Sequence, residues 1–356
     1  MQEYRQHSSI SQSELKLLLG PVPSLVQTVE NPDMYFEEKQ YFIIGDAVDC
    51  QITRGLEEFN KKFYISTLEN KPSDRIKSII NQVFDHVKEV YNPIEEITKY
   101  SDAILDACND HEYQVRWGDQ LRINKVCEAW EYWESLKDAE GKVVLSQEDI
   151  TLIDTIIMSF RTHPHTRNYF KEKDMIKIFY QLPIYFNCKN LPCKALLDML
   201  VINHRDKTVQ PIDLKTMGDK TAYFPKAMRQ RRYDIQAAFY TKALESWKEE
   251  HSLGDYKTLN FKFIVESTTN PGVPLVYTCT DELLYMGQFG REEGNLYLKV
   301  PDSAETWEDK LFVNYGEIKG YTQLLADYKY YLEHGFEMSR KVREEKGELE
   351  LDWNWN

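Results

Sequence analysis

The stretch Lys194-Ala195-Leu196-Leu197-Asp198-Met199-Leu200-Val201-Ile202 is the most informative part of the sequence about its architecture, together with a returning stretch at 209–216. Both have the length and the apolar content of strands, and residues 203–207 between them are typical of a turn. They predict a β-hairpin that carries one carboxylate, Asp198, inside an otherwise apolar strand. Because an unpaired buried charge costs on the order of several kcal/mol, Asp198 needs a partner or a metal ion.

The segments around this hairpin alternate between strand and helix. We predict a preceding strand at 176–186, a long helix at 224–250, a second hairpin at 260–266 and 273–279, and a helix at 317–346. This order predicts an α/β fold in which helices pack on a mixed sheet.

The first 160 residues are predicted to be largely helical. Ser11 or Ser13 is suited to cap a short first helix, and the aromatic-rich segment 72–160 carries no recognisable site chemistry. A second helix is expected to begin near Gly45 and to carry four apolar residues on one face, namely Val48, Ile52, Leu56 and Phe59.

Composition narrows the class of protein. The 356 residues are 42% hydrophobic and 29% charged, which is ordinary for a globular chain of one or two domains. No apolar run approaches the roughly 18 residues of a membrane helix, and the polar N-terminus lacks the apolar segment of a signal peptide. We therefore expect a cytoplasmic protein without a membrane partner. The six cysteines form no Cys-x-x-Cys pair, which argues against a zinc knuckle or an iron–sulfur cluster.

Charge is unevenly distributed. The net charge of −14 argues against a broad, nonspecific nucleic-acid surface. Residues 215–234 nevertheless contain six basic and two acidic residues. This segment is either a solvated helix face or a surface for an anionic partner.

The candidate chemistry lies on the returning strand. Because strand side chains alternate between faces, Asp213 and Lys215 point to the same side. If the hairpin pairs as predicted, Asp198 approaches Asp213, and two carboxylates converge with one ammonium. Such a group holds one or two Mg²⁺ or Mn²⁺ ions for phosphodiester hydrolysis. A structural salt bridge is the alternative interpretation of so short a pattern.

The following helix adds polar groups to this site. Gln236 and Tyr240 lie four residues apart and share a helix face, which Arg229 and Arg232 extend toward the N-terminal turn. Amide and basic side chains in this position are suited to hold a phosphate backbone next to the metal.

Two ordered stretches, Pro211-Ile212-Asp213-Leu214-Lys215-Thr216 and Tyr233-Asp234-Ile235-Gln236-Ala237-Ala238-Phe239-Tyr240, resemble the RecE/RecB-type branch of the PD-(D/E)xK nucleases. The likeness is greatest to the exodeoxyribonuclease VIII-like family of phages and prophages. Further matching segments lie at 10–16, 45–49, 162–164, 193–198 and 261–266.

The resemblance implies a restriction-endonuclease-like PD-(D/E)xK core flanked by helices, with a helical insertion. It divides the chain into N-terminal helices of the nuclease domain, a helical insertion, the catalytic core, and a C-terminal helical segment with a tail. The corresponding boundaries are 1–70, 71–160, 161–300 and 301–356.

The resemblance also assigns roles to individual residues. The implied catalytic residues are Asp198, Asp213, Lys215, Gln236 and Tyr240. The implied metal ligands are Asp49, Asp198, Asp213 and the carbonyl of Leu214. The implied DNA-binding residues are Lys226, Arg229 and Arg232.

Two positions depart from the family pattern. Asp49 stands where the family has a histidine, and Gln181 stands where a glutamate is frequent. An aspartate can still ligate Mg²⁺ through oxygen, whereas a neutral amide weakens metal affinity. Asp49 is alternatively only a residue of a helix surface.

The expected function is therefore that of an Mg²⁺- or Mn²⁺-dependent DNA exonuclease, which digests duplex ends in recombination or phage DNA processing. The expected partners are DNA, a single-strand annealing recombinase and further copies of the chain, in the cytoplasm of a bacterium or phage-infected host. The alternative is a catalytically weakened relative that binds DNA or protein.

Overall fold

The computed structural model describes residues 4, 6–19, 40–67, 72–91, 93–291 and 318–336. The helices are α1 (Gln12–Lys16), α2 (Gln40–Thr53), α3 (Gly55–Lys62), α4 (Asp74–Val90), α5 (Ser101–Asp110), α6 (Asp119–Cys127), α7 (Trp130–Ala139), α8 (Gln147–Thr162), α9 (Phe224–Gln230), α10 (Tyr233–Glu250), α11 (Asp281–Phe289) and α12 (Tyr321–His334). Short 3₁₀ turns lie at Leu17–Leu19, Ile97–Lys99 and Thr221–Tyr223. The strands are β1 (Phe63–Ile65), β2 (Val143–Leu145), β3 (Ile176–Cys188), β4 (Leu191–Asn203), β5 (Thr208–Met217), β6 (Lys257–Thr258), β7 (Lys262–Ser267) and β8 (Leu275–Thr278).

The main sheet is mixed. Its strands follow the order β3-β4-β5-β7-β8, and the short β6 pairs with β5 beside β7. The pairs β3–β4, β4–β5 and β7–β8 are antiparallel, whereas β5 and β7 are parallel. The prediction of an α/β fold with helices around a mixed sheet is confirmed. Strands β1 and β2 form a separate parallel pair.

Local sequence explains both predicted hairpins. The Asn203 side chain accepts hydrogen bonds from the backbone N–H groups of Arg205 and Asp206, which folds the β4–β5 turn. Lys207 completes this turn in the left-handed region, with φ of 49°. In the second hairpin, Gly272 has φ of 121°, a conformation that a glycine adopts without steric cost.

Helices cover both faces of the sheet. On one face α1, α10 and α12 form an apolar core with residues of β3, β4 and β7, and Phe239 and Tyr321 are among its largest buried side chains. On the other face α2 and α8 pack on a second core that contains Met199, Ile212 and Ile264. Two capping boxes fix the starts of α1 and α8, at Ser11 and Ser146.

The predicted helical segment has a core of its own. Helices α4 to α7 enclose the fully buried Trp133, whose ring lies against Phe84 and Tyr100. Helix α8 instead packs on the sheet, through residues such as Ile153 and Phe160. The predicted boundary at 160 thus falls inside a helix of the sheet layer, and the division into domains stays a prediction.

Two predicted helices are each divided in two. The helix expected over 224–250 breaks at Arg232, which has φ of 50° and ψ of 50° and separates α9 from α10. The helix expected near Gly45 begins at Gln40 and ends at Thr53, and Gly55 starts α3 with φ of 83°. Because of this break, Leu56 leaves the predicted apolar face and is 62% exposed.

The last predicted helix lies in the C-terminal part of the chain. Helix α12 covers the middle of the helix predicted at 317–346, and residues 337–346 lie outside the described part. In the described ranges, no helix is long and apolar enough to cross a membrane.

Candidate active site

The site lies where two ladders of the sheet are interrupted at the same level. The β4–β5 ladder runs from Asn203↔Thr208 to Met199↔Ile212 and stops there, before Asp198 meets Asp213. In the β3–β4 ladder, the pairs on both sides of Gln181 and Asp198 form, but these two residues themselves do not pair. Asp198 therefore has no ladder partner on either neighbouring strand.

A twist at Gln181 accompanies this interruption. Gln181 has φ of 47°, a left-handed value that is uncommon outside glycine. Before it, Ile178 and Tyr180 pack in the core with α2 and α8, whereas after it Leu182 and Ile184 pack in the core with α10. Side chains of even-numbered residues therefore point to one face of the sheet before Gln181 and to the opposite face after it. Strict alternation along a strand does not predict this change.

Asp198 is fixed by the backbone of the adjacent strand. Its Oδ2 accepts a hydrogen bond of 3.1 Å from the backbone N–H of Leu214. The carboxylate therefore takes the place of the missing ladder partner on this side of β5. Because the N–H and C=O of a strand residue point to the same neighbouring strand, the Leu214 carbonyl faces the same gap.

Asp213 is the most buried member of the group, with 1% exposure. Its Oδ1 accepts a hydrogen bond of 2.6 Å from the Gln236 side-chain amide on α10. Its Oδ2 lies 2.8 Å from Nζ of Lys215, an ion-pair contact. That contact is not aligned as a hydrogen bond, so the buried Oδ2 has an ionic neighbour but no directed donor in the described structure.

Lys215 joins the carboxylates to an aromatic ring. Its Nζ lies 5.0 Å from the centre of the Tyr233 ring, at the start of α10. Burial alone lowers the pKa of Lys215, but the Asp213 and Asp198 carboxylates outweigh it, and the net direction is upward. The lysine is therefore an ammonium at neutral pH.

Negative charge is crowded at Asp198. Burial first, and then the Asp213 and Asp49 carboxylates, raise the pKa of Asp198 well above its usual value, against the Lys215 ammonium and the Leu214 N–H. Tyr240 lies at the same site, and burial followed by the Asp198 carboxylate raises the pKa of its hydroxyl. A carboxylate whose pKa is raised by burial and by like charges would be stabilised by a bound cation.

The two residues that depart from the family pattern contact each other. The Gln181 side-chain amide donates to both carboxylate oxygens of Asp49, at 3.2 and 3.3 Å. Arg54 approaches Asp49 Oδ2 at 3.6 Å. Burial, and more weakly the nearby Asp213 carboxylate, raise the pKa of Asp49 to about 6, although Arg54 lowers it. Asp49 thus lies in the electrostatic field of the site, and its role as a ligand stays a prediction.

The basic residues predicted to bind DNA have different surroundings. Lys226 and Arg229 are exposed on α9. Arg232 is half-buried, and its guanidinium pairs with Asp234 at 2.8 Å and donates to the Lys319 carbonyl. Arg232 thereby links the start of α10 to the segment that precedes α12, and its donors face protein groups.

Sequence reasoning missed two residues that α1 brings to this site. Gln12 is buried, and Lys16 lies one helical turn further along. Nζ of Lys16 is 5.6 Å from the centre of the Tyr233 ring that Lys215 also contacts. The available signal was the spacing of four residues between Gln12 and Lys16 within the stretch 10–16.

Few oxygen atoms of the site are available to ligate a metal ion. They are the Asp198 and Asp213 carboxylates and, by its direction, the Leu214 carbonyl. In the described ranges, no group of three or more His, Cys, Asp and Glu side chains is placed to hold a metal ion.

Comparisons with known proteins add little to this geometry. No family model matches the chain, and no curated protein matches it. One similar solved structure is a crystal structure from Eubacterium rectale of a protein provisionally described as an exonuclease. The two share 12% sequence identity and a TM-score of 0.41, over 78% of this chain and 74% of that chain. A likeness of this degree carries no information on activity.

Proposed function

We propose that this protein is a metal-dependent deoxyribonuclease, acting as an exonuclease on double-stranded DNA ends. The observation that carries the proposal is the convergence of the buried Asp213 with the half-buried Asp198 and Lys215, where β4 and β5 separate. The alternative interpretation, a structural salt bridge, accounts for Asp213 and Lys215 but leaves the carboxylate of Asp198 without a cation of its own.

The donor set fits a hard divalent cation, Mg²⁺ or Mn²⁺. Asp213 Oδ2 is buried without a directed donor, and Asp198 has a pKa raised by burial and by neighbouring carboxylates. One lysine faces two carboxylates here, so a further cation would be stabilised, and the atoms available to ligate it are oxygens. Asp198, Asp213 and the Leu214 carbonyl would hold the ion, and Asp49 is a further candidate. When bound, such an ion activates water and offsets negative charge at the phosphate.

Lys215 acts as a cation in this proposal and does not act as a general base. Its raised pKa keeps the side chain protonated at neutral pH, so it donates hydrogen bonds and holds its proton. A protonated lysine beside the carboxylates can orient the attacking water or stabilise the extra negative charge of the pentacovalent phosphate.

Gln236 and Tyr240 position this group from α10. The Gln236 amide holds Asp213 Oδ1 and thereby fixes the rotation of that carboxylate. Tyr240 is buried beside Asp198, with a phenol that stays protonated and remains a donor. Both side chains are well placed to order the site before the substrate arrives.

One observation favours a second candidate, a catalytically weakened relative that binds DNA or protein. Gln181 donates to both oxygens of Asp49, and Arg54 lies 3.6 Å from Asp49 Oδ2, so this carboxylate already has protein partners and depends less on a metal ion. An annealing recombinase and further copies of the chain remain proposed partners in either case.

Hydrolysis of a substrate panel tests the proposal. Linear duplex, circular duplex, single-stranded DNA and RNA are incubated with Mg²⁺ or Mn²⁺ and the wild-type chain, Asp213→Asn or Lys215→Met. We expect digestion of linear duplex DNA by the wild type only, with a loss of roughly a thousandfold or more in each variant, or about 4 kcal/mol in the barrier. The matched controls are Asp219→Asn and Lys220→Met. Both residues are exposed and lie a few positions after Lys215.

The possible results separate the two candidates. Wild-type rates in Asp213→Asn or Lys215→Met contradict the nuclease assignment. DNA binding without hydrolysis in either metal favours the weakened relative. Cleavage of circular duplex at the same rate as linear duplex excludes an exonuclease that needs an end.

A further inference from the structure

Helix α1 places one more cation beside the proposed catalytic group. Gln12 and Lys16 are four residues apart and lie on one helix face, which packs toward α10. Nζ of Lys16 donates a hydrogen bond of 3.2 Å to the carbonyl of Arg231, just before α10 begins. The same nitrogen lies 5.6 Å from the centre of the Tyr233 ring, and Nζ of Lys215 lies 5.0 Å from that centre.

Lys16 has no carboxylate partner in the described ranges. Its Nζ contacts the Arg231 carbonyl and the Tyr233 ring, and among the described residues it forms no ion pair with an Asp or Glu oxygen within 4 Å. Its side chain is only partly exposed. Since an ammonium withdrawn from water without an anion is costly, the position calls for a negatively charged ligand.

The balance of nearby charges agrees with this conclusion. Burial first, and the Lys215 ammonium second, lower the pKa of Lys16 to about 8. Asp213 and Asp234 act in the opposite direction, and Arg232 adds to the lowering. The two carboxylates are already engaged, because Asp213 contacts Lys215 and Gln236, and Asp234 contacts Arg232.

Gln12 lies at the other end of α1, where its side chain approaches the Tyr240 hydroxyl. It is 5% exposed, and its side-chain carbonyl oxygen has no hydrogen-bond partner in the described structure. A buried acceptor without a donor is uncommon in a folded protein. This oxygen needs a hydrogen-bond donor, so on this face of α1 the group suited to an anion is Lys16.

We propose that Lys16 binds a phosphate of the DNA strand being cleaved, next to the phosphodiester on which Lys215 and the two carboxylates act. The inference rests on the proposed function and adds a substrate-binding residue from α1 to it. A lysine suits this role because it recognises a backbone phosphate as a point charge, without reading the base sequence.

Binding in the absence of divalent metal gives the first measurement. The affinity of the full chain for a fluorescent DNA duplex is measured by anisotropy in EDTA, at several salt concentrations. We expect Lys16→Met to weaken binding by about tenfold and to reduce the salt slope by about one. Lys16→Arg should restore most of the affinity, because the cation is kept.

The matched control is Lys99→Met. Lys99 is an exposed lysine at the end of a 3₁₀ turn in the helical segment, and its loss changes the net charge equally. Thermal stability of each variant is measured in parallel, because Lys16 also contacts Tyr233. A loss of affinity in a stably folded Lys16→Met that exceeds the loss in Lys99→Met supports the proposal.

A neutral phosphate analogue gives the second measurement. Single methylphosphonate linkages are placed in turn at each position near the strand end. One position should weaken wild-type binding as much as Lys16→Met does, and the same linkage should cause no further loss in Lys16→Met. A purely structural lysine would leave every linkage with the same effect in both proteins.

The outcomes separate this inference from the proposed function. If the wild type binds or digests DNA and Lys16→Met behaves like Lys99→Met, the assignment of Lys16 is wrong and the nuclease proposal stands. If the wild type neither binds nor digests any DNA, the proposed function fails, and the assignment of Lys16 fails with it.

Discussion

Glu266 and the pair formed by Asp198 and Asp213 lie in the same sheet and differ in how well their carboxylates are supplied with hydrogen-bond donors. Glu266 on β7 is fully buried, and it accepts from the Ser159 hydroxyl and from the backbone N–H groups of Ser267 and Gly272. Asp198 and Asp213 lie near the centre of the sheet, where neighbouring carboxylates crowd one another and one buried oxygen lacks a directed donor.

The number of hydrogen-bond donors around a carboxylate separates a structural acid from a functional one. At Glu266 the protein supplies three neutral donors, from α8, the last residue of β7 and the β7–β8 turn, so the carboxylate connects α8 to this turn. At Asp198 and Asp213 the protein supplies one directed donor to each carboxylate and a single lysine between them, which leaves oxygens for a ligand. Removal of an acid should therefore have opposite effects on stability at the two places.

The largest expected effect is at Asp198. We predict that Asp198→Asn lowers metal-dependent DNA hydrolysis by roughly a thousandfold, which corresponds to about 4 kcal/mol in the barrier. The same variant should be as stable as the wild type in EDTA, or more stable, because its raised pKa means that the ionised carboxylate opposes folding. Addition of Mg²⁺ should raise the melting temperature of the wild type but not of the variant.

These three results are linked, and they are measured by nuclease assays and thermal melts. A strong destabilisation of Asp198→Asn in EDTA would show that Asp198 is a structural acid like Glu266. That outcome would remove the distinction between the two places.

The next largest effect is expected at Glu266. Glu266→Ala leaves the Ser159 hydroxyl and two N–H groups without an acceptor in the core, at a cost of about 3 kcal/mol in the free energy of unfolding. Denaturant melts of the wild type, Glu266→Ala and Glu266→Gln measure this cost. Glu266→Gln should lose less, because its carbonyl oxygen still accepts. Equal stability of Glu266→Ala and the wild type would contradict the structural role.

The smallest effect is a dependence on pH at Asp49. The pKa of Asp49 in the folded chain, about 6, lies above its value in an unfolded chain. The folded state therefore holds this proton more tightly, and wild-type stability contributed by Asp49 falls as pH rises from about 4 through 6. Asp49→Asn does not lose this stability as pH rises. Above pH 7 its free energy of unfolding should therefore exceed that of the wild type by about 1 to 2 kcal/mol, after allowance for partial exposure.

Thermal melts of Asp49→Asn and the wild type in EDTA, at pH 4 to 8, measure that gap. A gap that stays constant over this range would show that Asp49 has an ordinary pKa. Asp49 would then belong to the helix surface and would have no electrostatic part in the site.

The sequence allowed the strands and hairpins to be predicted because their signals are local. Alternating apolar residues and the turns at Asn203 and Gly272 act over a few residues, and β4 and β5 fall within three residues of their expected ends. The break at Arg232 has no such signal, because an arginine seldom adopts a left-handed conformation. Arg232 is held in this conformation by contacts to Asp234 and to the distant Lys319 carbonyl.

The contacts of the candidate site are likewise of two kinds, those that follow from local patterns and those that depend on packing. Convergence of Asp213 and Lys215 follows from strand alternation, and their relation to Asp198 follows from hairpin pairing. The contact of Gln181 with Asp49 joins residues 132 positions apart, and the approach of Lys16 to Tyr233 depends on how α1 docks. Neither contact follows from a local pattern, because each depends on the packing of whole elements.

The hydrogen bond from the Leu214 amide to Asp198 gives the protein a spectroscopic reporter of its own. The amide proton points at a carboxylate instead of a peptide carbonyl, so its chemical shift responds to the charge on that group. Protonation of Asp198, or its engagement by a cation, should move this one resonance while the paired amides of β5 stay in place. A single backbone signal can thus follow the state of the site, without substrate and without any substitution.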